Sequence, residues 1–278
     1  MADEENWKAV LEIDLQSREG KTIPGRVYHR GPLLIQKPFY PEGPEICHLY
    51  ILHPPGGVVA GDELGLTLCA ESGARGLLTT PSAAKFYRSP VPQLWGRSRQ
   101  TFRVASGASL EWFPQETILF NGARARIETR VDLEETASFL GWEILSLGRP
   151  ASGERFNEGI CFQRFEIYRQ GEPVWIEQNR IEGGSRFLDA RWGMGGYSVT
   201  GTFAAVLPRH GSFPEIPPQM KEASGEDLFS VTRMGEVLLG RYLGCHAEHA
   251  KFFFIRIWEI IRSHAMNRKI SIPRIWNT

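Results

Sequence analysis

The chain has 278 residues, 42% of them hydrophobic, which is enough for an ordinary globular core in one large domain or two small ones. Lysine plus arginine and aspartate plus glutamate number 32 each, so no net charge favours nucleic acid or an anionic membrane as a partner. The four cysteines lack paired spacing, and the start, "MADEENWKAV", is acidic rather than basic and apolar, which predicts a reduced, cytoplasmic protein.

Apolar residues recur at every second position in three separated segments, which is the spacing of half-buried β-strands. The segments are Leu11, Ile13 and Leu15; Leu64, Leu66 and Leu68; and Phe165 and Ile167. No helical pattern of useful length separates them, so the sequence predicts a mainly β fold.

Two segments, "ESGARGLLTTP" and "ASGASLEWFP", resemble one another. Each has Ser-Gly-Ala, then apolar residues, then Pro, and their glycines, Gly73 and Gly107, are 34 positions apart. Such an echo indicates a coiled arrangement of strands, although similar turn chemistry also recurs by chance in β proteins. We therefore predict a strand-rich, β-helix-like (solenoid-like) part over about residues 1–210.

The segment "HPPGGVVAGDEL", residues 53–64, concentrates proline, glycine and carboxylates between two apolar runs. A phosphate cradle, a metal site and a stiff corner that presents acidic groups are the competing interpretations. The Gly-Lys-Ser/Thr ending of a P-loop is absent, and Asp62 with Glu63 would repel phosphate, so the cradle is disfavoured. A strand would point His48 and His53 to opposite faces, and we interpret them as turn and surface residues.

The next segment, "TTPSAAKFYRS", supplies hydroxyls and a lysine in a compact run. Ser82 and Lys85 match the Ser-x-x-Lys spacing of some acyl-transfer enzymes, but the companion motifs of those enzymes are missing. A strand that leaves a proline turn with a polar edge is the favoured interpretation.

Single carboxylates stand in apolar or glycine-rich surroundings at Asp62, Glu143 and Glu177. A buried carboxylate is costly unless it is paired or coordinates a ligand. Ion pairs with arginines explain each of them most simply, while a series of such groups is also suited to passing a cation along.

Residues 211–278 change character. Residues 211–227 are rich in proline, glycine and charge, which predicts a loop. A helical spacing then begins, for which Ser224 offers an N-cap and Asp227 the capping-box position. The stripe consists of Leu228, Val231, Gly235, Leu238 and Tyr242.

The motif "CHAEH" places Cys245 and His249 one helical turn apart, with His246 between them. This spacing is able to hold a soft or borderline divalent ion, and a metal-dependent hydrolase that uses these three residues is the alternative function. Nothing else in the chain completes the site recognisably, so a helix start with exposed polar residues is favoured.

A second helix follows, and it is apolar over more than one face. Its main stripe consists of Ala250, Phe253, Phe254, Ile257, Trp258 and Ile261, while Phe252, Ile255 and Ile260 lie outside it. We predict a partner interface at Phe252, Ile255, Trp258 and Trp276. Burial of these aromatic residues within their own domain is the alternative.

Six segments occur in the order and spacing of the UreD family of urease accessory proteins, called UreH in some organisms. They are "LHPPGGVVAGDEL", "TTPSAAKFYRS", "LEWFPQETILFNGARA", "FLGWEILSLGRPASGERF", "GRYLG" and "PRIWNT". The resemblance covers residues 11–278 and implies one UreD-type domain over residues 1–278, with a β-helix-like part and two or so helices in a carboxy-terminal part, residues 228–278.

The resemblance implies a nickel metallochaperone scaffold rather than an enzyme, with UreF, the GTPase UreG and the urease apoenzyme as partners. It also implies an internal passage for transient Ni(II), which by motif position we place along Asp62, Glu143 and Glu177, with Ser82 a weaker fourth member. No catalytic residue, no tightly bound cofactor and no tight metal site are expected, and Cys245, His246 and His249 stay weak candidates.

Overall fold

A computed structural model describes residues 7–217 and 227–277. Strands form two sheets in this part of the chain. The seven-stranded sheet has the order β14 (Glu172–Glu182), β13 (Ile160–Arg169), β11 (Arg124–Leu133), β8 (Gly96–Val104), β5 (Glu63–Ala70), β1 (Lys8–Arg18) and β2 (Lys21–Arg30).

The ten-stranded sheet includes two short strands, β7 (Ala84–Phe86) and β10 (Thr117–Leu119), which pair beside its main path. That path has the order β16 (Leu228–Met234), β17 (Val237–Gly244), β15 (Val199–Val206), β12 (Ser138–Leu147), β9 (Ser109–Phe113), β6 (Arg75–Thr79), β4 (Ile46–Leu52) and β3 (Leu34–Ile35).

The chain alternates between the sheets as it passes from β5 to β6, from β8 to β9 and from β11 to β12, and equivalent strands lie parallel. Ser109 is the register partner of Arg75, and the Ser72 hydroxyl donates to the Ser106 carbonyl 34 residues on, at 2.8 Å. The echo in the sequence is therefore a structural repeat, and the mainly β class is confirmed. Antiparallel strands complete both sheets, so a regular solenoid stays a prediction.

Alternating apolar residues bury one face of each sheet against the other. Leu11, Ile13 and Leu15 on β1 are almost fully buried and share a core with Leu49 on β4 and Phe139 on β12. The prediction that Leu11, Ile13 and Leu15 share the buried face of a strand is therefore confirmed.

Helices contribute little to the fold. The four-residue α1 (Arg186–Asp189) follows β14, and α2 (Ala247–Met266) covers the outer face of the ten-stranded sheet through its apolar stripe. Short 3-10 turns occur at Pro150–Ser152 and Arg274–Asn277. No helix in the described ranges has the length and apolar character needed to cross a bilayer.

The helix predicted over residues 228–242 is wrong, because the described part of this segment is the hairpin of β16 and β17. Gly235 has φ +57° in its turn, a conformation that glycine adopts without strain. β17 is buried on both faces, with Val237 facing the inter-sheet core and Leu238 facing α2. A strand of this kind is apolar at consecutive positions, so its periodicity is indistinguishable from that of a buried helix. The proposed N-cap, Ser224, lies outside the described residues.

A cluster of charged side chains is buried between α2 and the ten-stranded sheet. Arg262 on α2 is 2.8 Å from the Glu42 carboxylate and 3.2 Å from that of Glu111 on β9. His48 is 2.6 Å from Glu42 and has no exposed surface, so its interpretation as a turn or surface residue is wrong. Trp258 donates its indole N–H to Glu111 at 2.7 Å. We call Glu42, His48, Glu111 and Arg262 the buried charge cluster.

Candidate functional site

A polar layer divides the apolar interior between the two sheets. On β11, β12, β13 and β14, a polar side chain stands at an inward position between inward apolar residues of two hydrophobic clusters, and on β15 one stands next to Ala204 of the first cluster. On β12, for example, Phe139 lies in one cluster and Leu145 in the other. The polar residues are Thr129 on β11, Glu143 on β12, Gln163 on β13, Glu177 on β14 and Thr202 on β15.

Hydrogen bonds link this layer into a continuous chain. Gln163 Nε2 donates to Glu143 at 2.5 Å, and Asn179 Nδ2 donates to Gln163 at 3.1 Å and to Glu177 at 2.8 Å. Arg241 on β17 lies 2.5 Å from the Glu177 carboxylate and closes the chain. We call Glu143, Gln163, Asn179, Glu177, Thr202 and Arg241 the polar corridor.

Of the two carboxylates of the polar corridor, Glu177 has a positively charged partner and Glu143 does not. Burial raises the pKa of Glu143 to about 7, although hydrogen bonds from Thr129 and Gln163 oppose the rise. Glu177 instead has the Arg241 guanidinium as a counter-ion, which also donates to Thr202 at 2.8 Å. The corridor therefore contains one carboxylate near its titration point at neutral pH and one that is paired.

Two clefts reach the polar corridor from different sides. The first has a volume of about 400 Å³ and is lined by Glu143, Thr129, His53 and Ser82, among mainly apolar residues. The second has a volume of about 350 Å³ and is lined by Glu177, Asn179 and Arg241. The hydrogen bonds that join Glu143 to Glu177 through Gln163 and Asn179 thus lie between the two clefts.

Asp62 lies apart from the other two predicted carboxylates. It accepts hydrogen bonds from the backbone N–H groups of Val59, at 3.0 Å, and Trp7, at 3.1 Å. It is close enough to His53 to raise the pKa of that imidazole against the larger effect of burial, which lowers it. Asp62 therefore stabilises the turn and lies beside a lining residue of the first cleft.

The Pro-Pro-Gly-Gly turn is constrained by its neighbours. A Cβ atom on Gly57 would come within 2.2 Å of the Tyr87 ring, so only glycine fits there. Ser82 is exposed at the rim of the first cleft, and Lys85 on β7 also lines it. Both residues follow the turn at Pro81, which agrees with the interpretation of this motif as a strand that leaves a proline turn with a polar edge.

The weak metal candidates do not form a complete ligand set. The rings of His246 and His249 are 4.8 Å apart, and His249 Nδ1 lies 2.6 Å from Asp227, while Cys245 is exposed. Across residues 7–217 and 227–277 no group of three or more His, Cys, Asp and Glu side chains is arranged to hold a metal ion.

The four residues predicted to meet a partner have different environments. Phe252 is 62% exposed, whereas Ile255 is half-buried against the core beneath α2. Trp258 is fully buried. Trp276 donates its indole N–H to Thr79 at 2.7 Å and packs against the sheet, as the alternative interpretation has it. Of the four, Phe252 presents the largest free surface.

Sequence reasoning missed Gln163, Asn179 and Arg241, which connect the two carboxylates. A signal for Gln163 was present, because it shares the inward parity of Cys161 and Phe165 in "ICFQRFEIYR". A polar residue at a core position of an otherwise apolar strand indicates a buried hydrogen-bond partner. For Arg241, whose partner Glu177 is remote in sequence, no such local signal exists.

Fold and site together define a two-sheet β protein with a hydrogen-bonded polar layer through its interior. The family model described as "UreD urease accessory protein" matches residues 8–277. The chain belongs to this family.

Relatives agree with this assignment over almost the full chain. The urease accessory protein UreD of Nitrosococcus oceani is 41% identical over 273 residues, which cover 98% of this chain and 91% of the relative. That of Methylobacillus flagellatus is 40% identical, covering 99% and 96%, and UreD 2 of Brucella anthropi is 41% identical, covering 98% of each. These proteins are named as accessory proteins and not as enzymes, so the prediction that the chain is not an enzyme is confirmed and the hydrolase alternative loses its support.

The raised pKa of Glu143 predicts a pH-dependent effect of its replacement. The folded chain holds this proton up to about pH 7, whereas the unfolded carboxyl loses it near its ordinary pKa of 4.5, so wild type loses stability as pH rises between these values. Glutamine does not ionise. We expect Glu143→Gln to gain on the order of 3 kcal/mol relative to wild type between pH 4.5 and pH 8.

Urea unfolding at several pH values measures this difference, with Glu172→Gln at an exposed end of β14 as the control. Parallel pH profiles for Glu143→Gln and wild type would contradict the expected effect.

Proposed function

We propose that this chain is a nickel metallochaperone scaffold for urease maturation, which acts with UreF, the GTPase UreG and the urease apoenzyme. The observation that carries the proposal is the polar corridor, which links two clefts through an interior that is otherwise apolar. Apolar residues of similar volume are often at least as stabilising as a buried, hydrogen-bonded polar layer, so the presence of this layer between two apolar clusters calls for a functional explanation.

The side chains of the polar corridor suit a cation that must be released again. Carboxylate and amide oxygens bind a borderline divalent ion more weakly than a full set of Cys and His ligands does. A hydrated Ni(II) ion is the transient cargo in this proposal, and the chain needs no tightly bound cofactor. Glu177 supplies negative charge, Glu143 supplies it once its proton is released near neutral pH, and Gln163 and Asn179 supply neutral oxygen atoms between them.

The order of the groups suggests a direction along the corridor. Ser82 lines the first cleft, Asp62 lies beside its lining residue His53, Glu143 lines the same cleft, and Glu177 lines the second cleft. The Arg241 guanidinium forms an ion pair with the Glu177 carboxylate. An entering divalent ion competes with this guanidinium, and the exposed part of the Arg241 side chain gives it room to move away.

The partner proteins meet the surface of the chain in this proposal. Phe252 on α2 is the predicted interface residue with the largest exposed area, and aromatic anchors dominate interface energetics. The free cysteines Cys47, Cys69, Cys161 and Cys245 suit the cytoplasmic location in which such a complex would assemble.

The proposal is tested by expressing the matching urease with its other accessory proteins, with and without this chain. We expect the nickel content and the specific activity of urease to fall together when the chain is absent, at an unchanged amount of urease protein. Urease that is loaded and active without the chain would contradict the proposed function.

A further inference from the structure

The outer face of the seven-stranded sheet, which points away from the ten-stranded sheet, carries a line of arginines. Arg97 on β8 is the register partner of Arg126 on β11. Arg126 is in turn the partner of Phe162 on β13, which pairs with Arg180 on β14. Register partners lie side by side across a sheet, so these four side chains form one line over four strands. We call them the arginine row.

The arginine row carries more positive charge than its neighbouring carboxylates balance. Arg97 lies 3.6 Å from Glu63, and Arg180 lies 3.1 Å from Glu182. Arg126 is exposed and has no carboxylate partner among the described residues. The excess charge is therefore centred on Arg126.

Two residues further along β8 and β11, the facing side chains have opposite charges. Arg99 on β8 faces Glu128 on β11 and donates two hydrogen bonds to it, at 2.9 and 2.7 Å. At the arginine row, Arg97 faces Arg126 instead, and like charges directly opposite one another destabilise a sheet. Arg97 faces the Glu63 carboxylate on its other side, whereas the two register partners of Arg126 are Arg97 and Phe162. The position that lacks a facing carboxylate is therefore Arg126.

Aromatic rings hold these guanidinium groups in position. Arg126 and Arg180 lie over Phe162, 5.7 and 5.9 Å from the ring centroid. Trp95 packs on Phe162 at 5.4 Å, and Arg124 lies 4.5 Å from the Trp95 ring. Arg124 Nε is buried without a hydrogen-bond partner among the described residues. Stacked guanidinium groups keep their N–H donors free for an external acceptor.

We propose that the arginine row, with Trp95 and Arg124, is a docking surface for an acidic region of a protein partner. Its carboxylates would accept hydrogen bonds from the free guanidinium donors of the exposed Arg126. Arg124, whose Nε is buried, would add positive charge beside them. Arginine and aromatic residues are enriched at protein interfaces. A nucleic acid is the weaker candidate, because binding to it relies on many phosphate contacts and the chain has no net charge.

This inference is independent of the proposed function, because the arginine row and the polar corridor lie on opposite faces of the seven-stranded sheet. Its test uses the full chain and a fluorescently labelled hexaglutamate peptide at low ionic strength. We expect salt-sensitive binding that Arg126→Glu weakens about tenfold or more. The matched control is Arg103→Glu on β8, opposite Asp132, which makes the same charge change on the same face of the sheet. We expect it to weaken binding by less than about threefold.

Further variants keep the test decisive. Thermal unfolding checks that Arg126→Glu stays folded, and Arg126→Gln supplies the measurement if it does not. Phe162→Ala should also weaken binding, since it removes the ring beneath Arg126 and Arg180. The proposal is overturned if wild type does not bind the peptide, if Arg103→Glu loses as much as Arg126→Glu, or if hexathymidylate binds more tightly than hexaglutamate.

Discussion

Replacement of Arg262 by methionine is expected to destabilise the folded chain by about 3 to 5 kcal/mol. Arg262 is fully buried and lies between the carboxylates of Glu42 and Glu111. Its removal leaves Glu111 without its cation and leaves Glu42 with His48 as its remaining partner, which is costlier than the exchange of the whole cluster for neutral residues. Urea unfolding followed by circular dichroism measures the loss.

The same variant should respond to pH and to a second substitution. Burial raises the pKa of Glu111 to about 7 even though Arg262 lowers it, so the loss of this cation raises that pKa further. The stability lost in the variant should therefore be largest at alkaline pH, where the carboxyl is ionised, and should shrink as pH falls towards 7 and the carboxyl takes up a proton. The double variant Arg262→Met/Glu111→Gln should also recover much of it, because the amide oxygen still accepts the Trp258 indole N–H. A loss below about 1 kcal/mol in the single variant would contradict this account of the buried charge cluster.

The second large effect concerns urease activation under limiting nickel. We expect Glu177→Gln and Glu143→Gln each to lower the activity of co-expressed urease about tenfold, and the activity to return as nickel is raised, since the corridor would retain its shape but lose charge. Glu128→Gln on the outer face of the seven-stranded sheet is the matched control and should activate urease normally.

Asp62→Ala should lower activation as well, but with a measurable loss of stability, because Asp62 accepts two backbone N–H groups of the turn. Full activation by both Glu143→Gln and Glu177→Gln at limiting nickel would contradict the passage.

Local patterns in the sequence predicted the parts of the fold that local physics determines. The alternation at Leu11, Ile13 and Leu15 predicted β1, and the helical stripe around Phe254 and Trp258 predicted α2. The hairpin of β16 and β17 was missed, because a strand buried on both faces has no alternation to detect.

The candidate site depends on contacts between residues that are distant in sequence. Glu143 and Glu177 were predicted as isolated carboxylates, and the structure joins them through Gln163 and Asn179. Likewise, Arg262 on α2 shows no sign in the sequence of its partners Glu42 and Glu111. Topology brings these groups together, and no local periodicity encodes it.

The central claim is that oxygen groups of the polar corridor bind nickel in passing. Its most direct test is nickel X-ray absorption on the purified chain, compared with the Glu143→Gln/Glu177→Gln double variant. The account predicts a weakly bound ion with oxygen ligands and no sulfur ligand, and loss of that signal in the double variant. A sulfur ligand from Cys245, or an unchanged spectrum and nickel content in the double variant, would contradict it.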